Sequence, residues 1–218
     1  MDRKVGDVKR SYDARSRQAQ AERTRELLLD AARGLLLTDG YAATTMALVA
    51  RACDVSVESV YKRFGGKPGL VRAVVDKALA GEGRTPAEQR SDALSATDPE
   101  LLLRGWAQLT AEVAPRVAPI LLLVRAAASH DRELFELAGE LDQTRRRRMT
   151  DNAGRLAAAG QLRPGLTVEH AADVLWAYSS PELYDLLVLR SSWELPRYAR
   201  FVEDGLRAHL LPCWTADS

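Results

Sequence analysis

Residues 44–70 read TTMALVARACDVSVESVYKRFGGKPGL, and this stretch decides the fold. Thr44 or Thr45 can cap a short helix over 46–52, and Ser56 a second over 57–64. Only Cys53-Asp54-Val55 separates the two, and Gly65-Gly66 ends the second before Lys67-Pro68 opens a further helix to about residue 80. Val49, Val55, Val60 and Phe64 can pack the pair, and Ala50 is small where the helices would cross. Two short helices joined this tightly form a helix-turn-helix unit, whose second helix enters a major groove. Its N-terminal and outward positions are Ser56, Val57, Glu58, Ser59 and Lys62. Serine and lysine donate to phosphates or bases, and glutamate accepts from cytosine N4. Tyr61 offers a hydroxyl on a flat apolar body, suited to a phosphate. Lys67 stands at a helix start, where backbone N–H groups already favour an anion. On spacing alone, a helical hairpin whose polar face meets water remains the alternative.

Outward from this unit the apolar residues recur at threes and fours, and alternating strand patterns are missing. Leu27, Leu28, Ala31, Leu35 and Leu36 mark one face of a helix over about 17–38, with Asp39-Gly40 as its stop signal. Residues 1–16 read as a flexible basic arm, 17–66 as the helix-turn-helix domain and 67–81 as a connecting helix. Residues 82–97 are small and polar and read as a linker, and 98–218 as a helical body. Within the body, helices are expected at 99–114, 117–129, 132–159, 168–178, 181–190 and 195–211. The fold class is all-α.

The 218 residues are 46% hydrophobic and 28% charged, so the chain can bury a core and is not disordered throughout. No apolar stretch approaches the ~20 residues of a membrane span, and no membrane partner is expected. The first 25 residues are polar and basic and lack the apolar segment of a signal peptide. With only Cys53 and Cys213 there is no disulfide framework, and a cytoplasmic location is expected. The net charge of +1 hides an asymmetry: up to residue 80 there are 15 basic residues against ten acids, and beyond it 16 against 20. A basic head on an acidic body suggests that the head meets a polyanion.

Catalysis finds no support. Ser59-Val60-Tyr61-Lys62 spells S-x-x-K without the partner motifs of acylating enzymes. His130, His170 and His209 are far apart, so neither a metal nor a cofactor is expected.

From residue 25 to 75 the chain resembles the DNA-binding domain of the tetracycline-repressor-like (TetR) transcriptional regulators. The resemblance rests on Leu-Leu-Leu-Thr-Asp-Gly-Tyr at 35–41, Thr44-Thr45, Val55-Ser56, Val60-Tyr61, Phe64, Lys67 and Leu70. It implies a homodimer that binds a palindromic double-stranded operator and releases it when a small-molecule effector enters the body. By position, Thr44 and Thr45 would hold phosphate, 56–62 would be the recognition helix, and Tyr61 and Lys67 would be phosphate clamps. The chain departs from the family in the turn, where Asp54 stands in place of the usual glycine. Aspartate tolerates the left-handed conformation, though less well than glycine.

An effector cavity in such a body would lie among the helices at 99–114, 117–129, 132–159 and 167–178. Trp106, Leu109, Leu122, Phe135, Met149, Asn152 and Trp176 are the candidate wall. Dimer contacts are expected from Val168, Ala171, Val174, Leu175 and Tyr178, together with Leu195, Tyr198, Phe201, Val202 and Leu206. Arg145–Arg148 is a basic run within one helix, and consecutive residues turn about 100° each, so one of the four must point partly inward or at a neighbour. A ligand-responsive repressor is the leading reading. A helical DNA-binding protein without an effector and a helical interaction module without DNA binding are the alternatives.

Overall fold

The computed structural model describes residues 5–81, 85–94, 98–129 and 131–212, with side chains from residue 16 onward. Among the described residues there is no strand. The chain divides into two compact units, Met1–Val74 and Val75–Ser218.

The first unit opens with α1 (Val5–Ala43), which takes in residues 5–16 of the expected arm. The helix breaks at Gly40, whose φ of 80° suits glycine, as the Asp39-Gly40 stop signal suggests. The short helices α2 (Met46–Ala52) and α3 (Val57–Phe64) follow, and α2 packs against both α1 and α3. Leu28, Leu29, Leu36, Val49, Ala50 and Val60 are all buried in this unit. α4 (Lys67–Ala80) runs without interruption across the boundary between the units.

In the second unit α5 (Ala87–Ala93) occupies part of the expected linker. Its burial of Ala87 and Ser91 is what a local composition reading could not register. α6 (Pro99–Ala128) is one helix where two were expected, with Pro115 and Pro119 inside it. Each proline removes a backbone donor. The helix nevertheless persists, packed against α7 (Arg132–Ala158), α9 (Pro181–Tyr184) and α10 (Leu195–Leu210), and it buries Leu102, Leu103, Trp106, Val117, Ile120 and Val124. By length and composition alone α6 could cross a membrane. In this fold it is the central helix of the body, and its Arg104, Glu112, Arg116 and Arg125 are ion-paired. α8 (Val168–Tyr178) packs on α7 and α10, and a π-helical turn, Asp185–Arg190, continues from α9.

Helix starts in the body follow local chemistry. Asp98, Asp131, Thr167 and Ser180 each accept, through a side-chain oxygen, from the backbone N–H three residues on.

Candidate nucleic-acid interface and helical body

Thr45, not Thr44, caps α2, with its hydroxyl accepting from the Leu48 N–H at 3.1 Å. Thr44 is only 1% exposed and donates to the Gly40 carbonyl at 2.8 Å, so its hydroxyl faces inward rather than toward a phosphate. The turn places Asp54 at φ 53°, the left-handed conformation its position requires. Ser56 caps α3: its Oγ accepts from the Ser59 N–H at 3.2 Å and lies 2.7 Å from the Ser59 hydroxyl. The two serines are thus engaged with each other and with the helix end.

Val60 is fully buried and holds α3 in place, while Val57, Glu58, Tyr61 and Lys62 are exposed on its outer surface. Val57 and Tyr61, and likewise Glu58 and Lys62, are four apart and share a face. An exposed valine beside a carboxylate and an ammonium is a surface able to read base edges. Arg63 points back and donates to the Ala21 carbonyl of α1 at 3.0 Å, which fixes the far end of α3. Lys67 donates to the Tyr41 carbonyl, with its ammonium over the Tyr41 ring. Sequence reasoning missed this partner, because 26 residues separate the two.

In the body, Trp106 and Asn152 are each 4% exposed, and Leu109, Leu122, Met149 and Trp176 are half-buried. Phe135 is 69% exposed and cannot line an interior wall. It sits near the start of α7, where Leu134 and Leu137 take the inward positions. Of the residues expected at a dimer face, Tyr198, Val202 and Leu206 are buried in the core of the single chain, as are Ala171 and Leu175. Phe201 remains exposed, in ring contact with Tyr178 at 5.9 Å and Trp193 at 5.7 Å. Leu186, Leu189 and Leu195 of the same region are exposed as well.

The arginine run separates as helical geometry demands. Arg145 points inward, donating to the Trp176 carbonyl at 2.6 Å and the Ser179 hydroxyl at 3.0 Å, with Asp142 at 3.6 Å. Burial pushes its guanidinium down to about 10, opposed by the Asp142 charge. Arg146 pairs with Asp173, Arg147 donates to Thr144, and Arg148 pairs with Asp92 at 2.7 Å. Glu140 and Asp151, the other acids near this run, are exposed. Among the described residues no cluster of His, Cys, Asp and Glu could hold a metal ion. His130, Cys213 and Trp214 lie outside them.

These features define a two-unit helical protein with a helix-turn-helix head. Residues 28–74 match the family model described as bacterial regulatory proteins, tetR family. The chain is 27% identical over 148 residues to YvkB of Bacillus subtilis (strain 168), an uncharacterized HTH-type transcriptional regulator, covering 68% of this chain and 75% of that one. It is 43% identical over 56 residues to the HTH-type transcriptional regulator AlkX of Mycobacterium tuberculosis (strain ATCC 25618 / H37Rv), covering 25% and 26% of the two chains. Among solved structures, NalD, the secondary repressor of the MexAB-OprM multidrug efflux pump in Pseudomonas aeruginosa, superposes with a TM-score of 0.67 at 22% identity, over 89% of this chain and 99% of that one. A SmeT–triclosan complex gives 0.68 at 22% identity, over 88% and 93%. These two structural likenesses are likenesses of fold. Residues 28–74 thus match the DNA-binding domain of tetR-family regulatory proteins, and the chain is similar to HTH-type transcriptional regulators.

Proposed function

We propose that this protein is a cytoplasmic, homodimeric repressor that leaves a palindromic operator when a small-molecule effector enters its body. The observation that carries the reading is the outer surface of α3, where Val57, Glu58, Tyr61 and Lys62 are presented over the buried Val60. Val57, Glu58 and Lys62 read base edges: Val57 a thymine methyl, Glu58 a cytosine amino group and Lys62 a guanine. Tyr61, Lys67 and Thr45 contact phosphate. Ser56 and Ser59 hold the end of the helix toward the groove.

A dimer would carry two such helices about one helical turn, ~34–36 Å, apart or at a multiple of it. The tilt of α4 sets that separation. Arg116 of α6 donates to the Ala78 carbonyl at the end of α4 at 3.0 Å, so a shift of α6 is felt at α4. An effector that prefers the non-DNA state through ~1–3 kcal/mol of coupling weakens operator binding roughly 5–150-fold.

Selection of bound sites from random duplexes, followed by ligand screening with operator binding measured for each hit, tests the proposal. A two-fold site whose affinity falls with a hit supports it. Hits that bind and leave operator affinity unchanged overturn the effector half, and absence of salt-dependent DNA binding overturns the whole.

A further inference from the structure

The corner where α5, α6 and α7 meet holds polar groups that the protein does not satisfy. Arg155 of α7 donates to the carbonyls of Ser91 at 2.9 Å, Asp92 at 3.3 Å and Leu94 at 2.5 Å, which fixes the C-terminal half of α5 above α7. Arg148, two turns earlier on α7, donates to the Glu88 carbonyl at 3.1 Å and pairs with Asp92. Asn152 lies between these two arginines on the same stripe of α7, and is therefore beneath α5. The Arg155 guanidinium stands 5.9 Å from the centre of the Trp106 ring, which brings α6 to the same place. Around this arginine, Ser91 Oγ, Trp106 Nε1 and Asn152 Oδ1 are buried without a hydrogen-bond partner, and each of the three residues is more than nine-tenths buried. Buried polar atoms are nearly always paired, so three orphans in one corner point to a missing occupant.

Their chemistry selects that occupant. Trp106 Nε1 can only donate and Asn152 Oδ1 only accept, while the Ser91 hydroxyl can do either. A ligand hydroxyl supplies one donor and two acceptor sites, which matches the three in donor and acceptor type. A carboxylate has no proton for Asn152. The terminal guanidinium nitrogens here are engaged, Arg155 by three carbonyls, Arg148 by Asp92 and Arg90 by Glu112 at 2.6 Å, and Arg90 Nε is a further buried atom without a partner. A hydrocarbon leaves every orphan unpaired. The inward face of α5 is small, Ala87 and Ser91, and Leu102, Leu103 and Leu156 are buried in the same body.

We infer that this corner, beneath α5 and between α6 and α7, binds an uncharged small molecule with an apolar body and a hydroxyl head, the hydroxyl donating to Asn152 Oδ1 and accepting from Trp106 Nε1 and Ser91 Oγ. The inference rests on the reading of the second unit as an effector-binding body and specifies what that body takes.

Calorimetry of the full chain without DNA, using 2-naphthol, naphthalene and 2-naphthoate, tests it. The alcohol is expected to bind at least about tenfold more tightly than either analogue. Trp106→Phe, Asn152→Leu and Ser91→Ala are each expected to remove most of the alcohol's advantage over naphthalene. The serine variant retains an informative readout if either larger substitution impairs folding. Equal binding of naphthalene, tighter binding of naphthoate, no binding of any probe (a water-filled corner only), or an alcohol preference that survives all three substitutions would each overturn the inference. Operator binding is measured separately. Probe binding that leaves the operator complex intact counts against effector release and not against this site.

Discussion

The Lys67 ammonium lies 3.8 Å from the centre of the Tyr41 ring and donates to the Tyr41 backbone carbonyl. The end of α1 and the start of α4 are thereby tied on either side of the helix-turn-helix. A cation near the C-terminal end of a helix is favoured by the exposed carbonyls there. Lys67→Ala is expected to weaken binding to all duplexes alike and to lower the salt slope by about one unit. It also loosens the tie: hydrogen exchange at the end of α1 should quicken. Tyr41→Leu retains the charge and the carbonyl, so it should loosen the tie without changing the slope. An unchanged slope in Lys67→Ala would place the ammonium at Tyr41 and off the phosphate.

Base readout and helix capping are separable on α3. Lys62→Ala should relax discrimination at one position by about 1–3 kcal/mol, and Val57→Ser should reduce the preference for thymine at another. Ser56→Ala removes the cap and should destabilise the head by about 1 kcal/mol, lowering affinity for every site together. Site selection with each variant distinguishes these patterns. Identical preferences throughout would show that α3 reads no bases.

Asp54 at φ 53° occupies a conformation that favours glycine. Asp54→Gly should relieve local strain and remove a negative charge near the DNA. Chemical denaturation is expected to show a head stabilised by up to about 1 kcal/mol, with non-specific DNA binding slightly tighter. A less stable variant would mean that the aspartate side chain itself supports the turn.

Phe201 and Tyr198 are three residues apart on α10 and face different surroundings. Tyr198 is fully buried, whereas Phe201 is exposed, as are Leu186, Leu189 and Leu195. Phe201→Glu should yield a folded monomer by sedimentation. Tyr198→Ala should instead destabilise the fold by about 3–5 kcal/mol, the range for emptying a large aromatic site. A Phe201→Glu protein that still sediments as a dimer places the interface elsewhere.

The docking of α5 is expected to weaken in acid. The Arg148 hydrogen bond holds Asp92 below its ordinary value of 3.8, and the Arg90 hydrogen bond holds Glu112 below 4.5. Because the folded values are depressed, the stabilisation is complete above the ordinary values and is lost as pH falls through the lowered ones. Hydrogen exchange of α5 amides, corrected for intrinsic rates, should therefore show constant protection from neutral pH to about 5. Protection should fall first below about 4, and in Asp92→Asn this acid-dependent loss should diminish. Protection lost already near pH 6 would mean that other groups hold α5.

Much of this protein is determined by interactions that span only a few residues, and those are legible in the sequence. The caps at Ser56, Asp98, Thr167 and Ser180 each reach an N–H three residues away. The glycine at 40 and the left-handed Asp54 are likewise local consequences of backbone sterics. The all-helical class, the helix-turn-helix and the exposed positions of α3 follow from such terms. Tertiary structure alone decided which neighbour is inside: Thr44 buried and Thr45 capping, Phe135 exposed, Tyr198 in the core of one chain and Phe201 outside it. It also decided that α6 continues through two prolines, and that Arg145 turns inward to Trp176 while Arg148 and Arg155 clamp α5. These arginine pairings depend on partners 31 to 64 residues away, whose approach is set by how the helices pack.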